Sequence, residues 1–287
     1  MTRIAYTGAR IFDGELWWER SALVVVGGRI EGIIAADSPT DAQRVALGGG
    51  ILAPGFIDLQ VNGGGGALLN LTPDLATIET ICAAFAQFGT TACLPTLITD
   101  TREKNAAVVA AGEAAAKKGV RGFLGLHLEG PHLSVARKGA HDPKLIRPMD
   151  EADLLALVAA RRRLPNLLTT VAAETVPPNQ ITRLAEAGLV ISIGHSNASY
   201  TVVKAAIEAG ASMVTHLFNA QSQLANRDPG VVGAALDLGA VWAGLIADGI
   251  HVDAASIGVA LRAKRGPGRI FLVTDAMSPT GTDATSF

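Results

Sequence analysis

Short apolar runs alternate with amphipathic runs along most of the chain, and this alternation predicts strands connected by helices. Eight runs rich in apolar and β-branched residues predict strands at positions 56–61, 90–98, 122–129, 167–174, 189–195, 213–219, 241–248 and 269–275. Helical patterns separate them, as at 101–118, 150–162, 179–187, 198–210 and 254–263. Eight strand–helix units favour an α/β fold, a (β/α)8 barrel of the TIM type, over the alternative of a doubly wound open sheet.

The first fifty residues follow a different pattern. Short β runs at 3–6, 23–26 and 30–34 are separated by turn signals such as Gly27-Gly28. This spacing is typical of a small antiparallel sheet and predicts a separate unit before the barrel. Farther on, Thr72-Pro73-Asp74 predicts a helix start with Pro73 at the first helical position.

Composition narrows the class of protein. Of the 287 residues, 49% are hydrophobic and 17% charged, which suits strands buried on both faces. Lysine and arginine number 24 against 26 acidic residues, so we expect neither a nucleic-acid partner nor an anionic membrane. The sequence has no apolar run of bilayer length, its N-terminus does not resemble a secretory signal, and its two cysteines fit a reducing compartment. We therefore expect a soluble cytoplasmic protein.

Polar and ionisable side chains are concentrated where the predicted strands end. The loops at the carboxyl ends of barrel strands carry active sites, so these side chains predict one functional pocket. They are Asp58, Gln60, Asn62, Thr96, His127, Glu129, Glu174, His195, His216, Asn219, Asp248, His251 and Asp275. No glycine-rich dinucleotide fingerprint follows a strand.

Three of these residues form a set of metal-ligand types. His195 and His216 end successive strands, and either alone could be a polar residue that merely terminates a strand. Glu129 ends an apolar strand, where an unpartnered carboxylate would be costly. Two imidazoles and a carboxylate are a ligand set of catalytic zinc. Asp275 could then accept a proton from metal-bound water, or instead cap a following helix.

Several motifs, in order along nearly the whole chain, resemble the N-acetylglucosamine-6-phosphate deacetylase family of the amidohydrolase superfamily. They are Pro54-Gly-Phe-Ile-Asp58, Leu94-Pro-Thr-Leu-Ile-Thr99, His127-Leu-Glu129-Gly-Pro131, Gly194-His195-Ser-Asn197, Thr215-His216-Leu-Phe-Asn219-Ala220, Ala247-Asp-Gly-Ile-His251 and Val273-Thr-Asp275-Ala276. The resemblance implies that residues 1–52 are the N-terminal part of a small β-sandwich. It also implies that residues 53–287 form a metal-dependent hydrolase barrel whose C-terminal portion is absent.

The resemblance implies hydrolysis of the N-acetyl group of N-acetylglucosamine 6-phosphate to acetate and glucosamine 6-phosphate. The metal ligands would be Glu129, His195 and His216, and Asp275 would be the general base and acid. His141 would help to bind and polarise the acetamido group. The expected substrate contacts are Ala140, Asn219, Ala220, Arg227, Asp248 and His251, with Arg227 and His251 near the phosphate.

One departure from many amidohydrolases concerns the metal. Gln60-Val-Asn62 stands where those enzymes have a His-x-His pair that supplies a second metal, so we expect a single divalent ion. Zn²⁺ is the expected metal, and Fe²⁺ and Co²⁺ are the alternatives. Gln60 and Asn62 would lie just outside its ligands. The resemblance also implies a homodimer. The alternatives are a deacetylase of another N-acetyl amino sugar phosphate, a D-aminoacylase-like amidohydrolase, or a truncated relative without activity.

Overall fold

The computed structural model describes residues 1–284. The chain divides into two compact units, Met1–Phe56 and Ile57–Phe287. The first unit contains a four-stranded sheet of order β5-β4-β1-β6 and a three-stranded sheet of order β3-β2-β7. Its strands are β1 (Arg3–Thr7), β2 (Arg10–Phe12), β3 (Trp17–Trp18), β4 (Ser21–Val26), β5 (Arg29–Ala35), β6 (Gln43–Ala46) and β7 (Ile51–Leu52).

The larger sheet of this unit is mixed rather than purely antiparallel. β1 pairs antiparallel with β4 but parallel with β6, so the antiparallel prediction is right for only part of the sheet. Small and β-branched side chains fill its core, with Ala5, Ala22 and Val24 nearly inaccessible to solvent. The parallel pairing of β6 with β1 could not be predicted, because the linker before β6 carries no sequence signal for the strand that β6 joins.

The second unit is a TIM-type barrel, as the strand–helix alternation predicts. Its eight main strands form one sheet in chain order, apart from a two-stranded hairpin of β9 and β10. The bounds are β8 (Phe56–Val61), β9 (Gly63–Gly64), β10 (Ala67–Leu68), β11 (Thr90–Ile98), β12 (Leu126–Glu129), β13 (Leu167–Val171), β14 (Val190–Ile193), β15 (Met213–Val214), β16 (Trp242–Leu245) and β17 (Ile270–Leu272).

The barrel closes through contacts just beyond its last strand. Val61 forms a parallel bridge with Ala276, and the Asp275 amide donates to the Gln60 carbonyl at 3.0 Å. The carboxylate of Asp58 accepts hydrogen bonds from the amide and hydroxyl of Thr274. These contacts place the end of the last strand beside the end of the first, so that both open onto the same face.

Seven α-helices and a short 3-10 turn (Val135–Arg137) connect the strands within residues 1–284. They are α1 (Leu75–Ala86), α2 (Arg102–Lys118), α3 (Glu151–Arg161), α4 (Pro178–Glu186), α5 (Tyr200–Glu208), α6 (Gly230–Asp237) and α7 (Ala254–Ala263). None of these helices is long and apolar enough to cross a membrane.

Two helix features differ from the sequence prediction. Asp74 is the N-cap of α1 and accepts from the Thr77 amide, so Pro73 precedes the cap instead of occupying the first helical position. The helix α6 was not predicted, because nearly all of its residues are buried. A helix without an exposed polar face lacks the amphipathic period by which helices are recognised.

Close packing between α2 and β12 gives a testable consequence at Gly112. A Cβ atom on Gly112 would lie 2.7 Å from Leu126 Cδ1 and 2.9 Å from Leu164 Cδ2. We expect Gly112→Ala to lower the free energy of unfolding by about 1–3 kcal/mol, measured by urea denaturation. Gly258→Ala in α7 is the control, since only the flexible end of Arg262 approaches it, and should raise stability by up to about 1 kcal/mol. Equal effects of the two substitutions would contradict this packing.

Candidate metal centre and active site

Glu129, His195 and His216 converge at the carboxyl end of the barrel. Glu129 Oε1 lies 3.1 Å from His195 Nε2 and 3.1 Å from His216 Nε2, and the two Nε2 atoms are 3.0 Å apart. All three side chains are buried, and Glu129 is only 2% exposed. The structure thus brings together the three residues predicted as metal ligands.

The backbone turns sharply where these side chains leave the sheet. His195, His216 and Asp275 follow β14, β15 and β17, with φ angles of 46°, 27° and 52°. Non-glycine residues rarely adopt this left-handed region, and such strain is concentrated at functional sites. The turns end the strands earlier than predicted, at Ile193, Val214 and Leu272.

The hydrogen bonds of His195 indicate which of its ring nitrogens is free. Its Nδ1 lies 2.8 Å from the carbonyl oxygen of Arg137, and a carbonyl can only accept, so Nδ1 carries the proton. Nε2 of the neutral ring therefore presents a lone pair to the cluster, which is the form that binds metal. Gln60 Nε2 also donates to Glu129 Oε1 at 3.1 Å. His216 Nδ1 is buried and has no partner among residues 1–284.

The geometry and charge of this cluster fit a divalent cation. Zinc bonds of about 2.0 Å place the donors of a tetrahedral site about 3.3 Å apart, close to the separations of the three donor atoms here. Burial alone would raise the pKa of Glu129, but the neighbouring rings of His195 and His216 outweigh burial and hold that pKa well below its usual range. Burial alone would lower the pKa of His216, yet Glu129 raises it. A proton on His216 thus stabilises the metal-free cluster, and a bound cation would take the place of that proton.

Asp275 lies at the edge of the same cluster. Its Oδ1 accepts a hydrogen bond of 2.7 Å from Asn62 Nδ2. Burial, together with the negative charge of Glu129, raises the pKa of Asp275 to about 6. A carboxylate with a pKa near neutrality is suited to exchanging protons at physiological pH.

His141 belongs to the cluster as well, although it comes from a loop. Its Nε2 lies 3.8 Å from Glu129 Oε2, and its ring packs edge-on against His195 with centroids 4.4 Å apart. Donor atoms of Glu129, His141 and His195 all lie within 4.8 Å of one another, so distance alone would also allow His141 as a ligand. Its other nitrogen, Nδ1, lies 2.7 Å from Thr99 Oγ1.

The predicted substrate contacts form two groups. The first group contains Ala140, which is exposed, and the Asn219–Ala220 segment. Gly139, the neighbour of Ala140, packs close to His195, since a Cβ atom added to this glycine would lie 3.1 Å from His195 Cε1 and 3.9 Å from Ala220 Cβ. Ala220 has a φ angle of 49°, and the amide of Asn219 donates to the carbonyl of His216. These residues therefore border the histidine cluster.

The second group is exposed to solvent. Asp248 and His251 form a pair, with Asp248 Oδ2 2.7 Å from His251 Nδ1, and both are exposed. Hydrogen bonds from His251 lower the pKa of Asp248 to about 2. Arg227 is exposed and forms no ion pair within residues 1–284. The structure does not bring this second group into hydrogen-bond contact with the metal cluster.

A layer of hydroxyl groups below the cluster was not predicted. His127 Nε2 lies 2.8 Å from Thr170 Oγ1, which lies 2.7 Å from Thr215 Oγ1, and Thr215 Oγ1 is 2.6 Å from Ser192 Oγ. Burial lowers the pKa of His127 to about 4, so this histidine is neutral. The signal available in the sequence was a hydroxyl or imidazole within otherwise apolar strand runs, at His127, Thr170, Ser192 and Thr215.

Comparison with known proteins agrees with this geometry. The family model described as "Amidohydrolase family" matches residues 51–276, which include every strand of the barrel. The chain belongs to the amidohydrolase family. It is accordingly a hydrolase of amides. Its buried glutamate and histidines lie at the carboxyl ends of the strands, where TIM barrels carry their active sites.

Curated relatives and solved structures extend the comparison. An N-acetylgalactosamine-6-phosphate deacetylase of Shewanella sp. (strain ANA-3) is 46% identical over 98% of this chain and 71% of its own length. A human N-acetylglucosamine-6-phosphate deacetylase is 36% identical over 97% of this chain and 70% of its own. The crystal structure of N-acetylglucosamine-6-phosphate deacetylase from Pasteurella multocida has a TM-score of 0.93 and 37% identity, covering 99% of this chain and 74% of its own.

Zinc binding tests the cluster directly. We expect one equivalent of Zn²⁺ to bind, and His216→Asn to weaken binding by at least about tenfold, measured by competition with a chelating dye. The matched control, His251→Asn, changes an exposed histidine outside the cluster and should leave the affinity unchanged.

The pH dependence of zinc binding has a definite sign. Because the metal-free protein raises the pKa of His216, zinc must displace a proton as it binds. The affinity should therefore fall by about tenfold per pH unit as pH decreases through the range where His216 is protonated. An affinity independent of pH from 8 to about 5 would contradict the assignment of His216 as a ligand.

Proposed function

We propose that this chain hydrolyses the N-acetyl group of N-acetylglucosamine 6-phosphate, releasing acetate and glucosamine 6-phosphate. The observation that carries the proposal is the convergence of Glu129, His195 and His216 beside Asp275. Relatives named as deacetylases of amino sugar phosphates cover nearly the whole chain and support the substrate class.

Glu129, His195 and His216 would hold one divalent ion, which we propose to be zinc. When bound, such an ion lowers the pKa of water and stabilises negative charge that develops on an amide oxygen. Asp275 accepts a proton from the attacking water and later delivers it to the leaving amine. Asn62 holds the Asp275 carboxylate in place by the hydrogen bond to Oδ1.

Arg227 and the Asp248–His251 pair would recognise the phosphorylated sugar. Their exposure suits a contact made only when substrate occupies the face of the barrel. A guanidinium binds two phosphate oxygens at once, which makes Arg227 the candidate for the phosphate contact. Ala140 and the Asn219–Ala220 segment would border the acetamido group.

A second candidate substrate is N-acetylgalactosamine 6-phosphate, favoured by the relative at 46% identity. The two sugars differ in the orientation of one ring hydroxyl and share the acetamido and phosphate groups. Measuring kcat/KM for both sugar phosphates in one preparation decides between them. Faster turnover of the galactosamine compound would replace our first choice while leaving the reaction type unchanged.

Substitution of the proposed general base separates chemistry from metal binding. We expect Asp275→Asn to lower kcat by about 10²- to 10⁴-fold, because an amide cannot accept the proton from water. Zinc content and thermal stability should match those of the unsubstituted protein, since the carbonyl oxygen of the new amide can still accept the hydrogen bond from Asn62. Acetate release at the original rate would refute the role of Asp275.

Phosphate recognition by Arg227 can be measured with paired substrates. We expect Arg227→Ala to lower kcat/KM for the phosphorylated sugar by about 10- to 100-fold, since charged hydrogen bonds are lost. Turnover of the unphosphorylated sugar should change little. Arg121→Ala is the control, because Arg121 is exposed on a loop that precedes β12, at the opposite end of the barrel. Equal losses on both substrates would show that Arg227 does not bind phosphate.

A further inference from the structure

Thr99 contacts His141 through two atoms, and together they constrain the histidine ring. The threonine directly follows β11 and is 5% exposed. Its backbone amide donates to His141 Nδ1 at 3.3 Å, and its hydroxyl oxygen lies 2.7 Å from the same nitrogen. Both contacts are made at the ring nitrogen that is not the one nearest to Glu129.

The backbone amide decides the tautomer of His141. The Thr99 hydroxyl also lies 3.4 Å from the carbonyl oxygen of Glu129 and can donate its one proton either there or to Nδ1, so its contact with His141 alone would allow both tautomers. A backbone N–H only donates, and a protonated Nδ1 at 3.3 Å would place two donors against each other. His141 Nδ1 therefore carries the lone pair, and in the neutral ring the proton lies on Nε2.

This tautomer is opposite to that of His195. The Arg137 carbonyl places the proton of His195 on Nδ1 and leaves its Nε2 free as a ligand. The Thr99 amide leaves His141 with a proton on Nε2, 3.8 Å from Glu129 Oε2. Two neighbouring histidines, with rings 4.4 Å apart, thus present a lone pair and a hydrogen-bond donor to the same site.

We propose that Thr99 is a positioning residue that holds His141 in the Nε2–H tautomer, so that His141 donates a hydrogen bond to the substrate carbonyl and does not coordinate the metal. The hydrogen bond to the substrate carbonyl rests on the proposed function. The tautomer of His141 and its exclusion from the metal ligands are independent of that function. By distance alone, His141 could be a metal ligand. The Thr99 amide argues against this role, because it leaves a proton on Nε2, the nitrogen that faces the site.

Nuclear magnetic resonance of protein labelled with ¹⁵N-histidine tests the tautomer without substrate. His141→Gln assigns the His141 signals by their loss. We expect His141 to show a protonated Nε2 and an unprotonated Nδ1 in the metal-free protein. On addition of one equivalent of zinc, the Nε2–H signal of His141 should persist while His195 and His216 shift. A protonated Nδ1, or loss of the Nε2–H signal of His141 with zinc, would overturn the proposal.

Substitution of Thr99 tests its effect on catalysis. We expect Thr99→Val to lower kcat by roughly tenfold with zinc stoichiometry unchanged, since one of the two contacts holding the ring is lost. Thr99→Ser keeps the hydroxyl and should retain the rate of the unsubstituted protein. Thr169→Val is the matched control, because the buried Thr169 hydroxyl has no hydrogen-bond partner among residues 1–284. A loss in Thr99→Val no greater than in Thr169→Val would refute the positioning role.

The two arms separate this proposal from the proposed function. If the unsubstituted protein does not release acetate from either sugar phosphate, the proposed substrate is wrong, and the NMR result still decides the tautomer. If acetate is released and His141 is protonated on Nδ1, the substrate stands and the role of Thr99 is refuted. Should Thr99→Val fail to fold, Thr99→Ala takes its place in the rate comparison, and the NMR of the unsubstituted protein still decides the tautomer.

Discussion

The buried carboxylate of Glu129 is the constraint on which the rest of the site depends. An isolated charge in a barrel interior would be costly, so the surrounding chain must compensate it. His195, His216 and Gln60 each direct a nitrogen at Glu129 Oε1. These groups come from three different strand ends, so the charge can be compensated only when the barrel is assembled. The site around Glu129 therefore forms only when the barrel folds.

Backbone strain and barrel closure cooperate in placing these groups. His195, His216 and Asp275 adopt left-handed φ angles that cost energy, and the surrounding packing maintains them. Contacts from Asp58 to Thr274 and from Gln60 to the Asp275 amide join the first strand to the segment after the last. This closure places Asp275 against Asn62 and near Glu129 in space.

The sequence predicted the barrel well because its strands are apolar and its exposed helices amphipathic; α6 was missed because it is buried on all sides. The ligand residue types could be read from strand ends, since parallel strands open onto one face. The tautomers of His141 and His195 could not be predicted, because they depend on backbone groups of Thr99 and Arg137 that are distant in the chain. Arg227 could not be assigned from pattern alone, since an exposed loop arginine is usually solvated.

We propose that a buried glutamate and two histidines hold the metal with which this chain cleaves an acetamido group. The most direct measurement is acetate release from N-acetylglucosamine 6-phosphate by metal-stripped protein, with and without one equivalent of zinc. We expect turnover only after zinc is added. Equal turnover without metal, or one bound zinc with no release from this sugar phosphate or its galactosamine analogue, would contradict it.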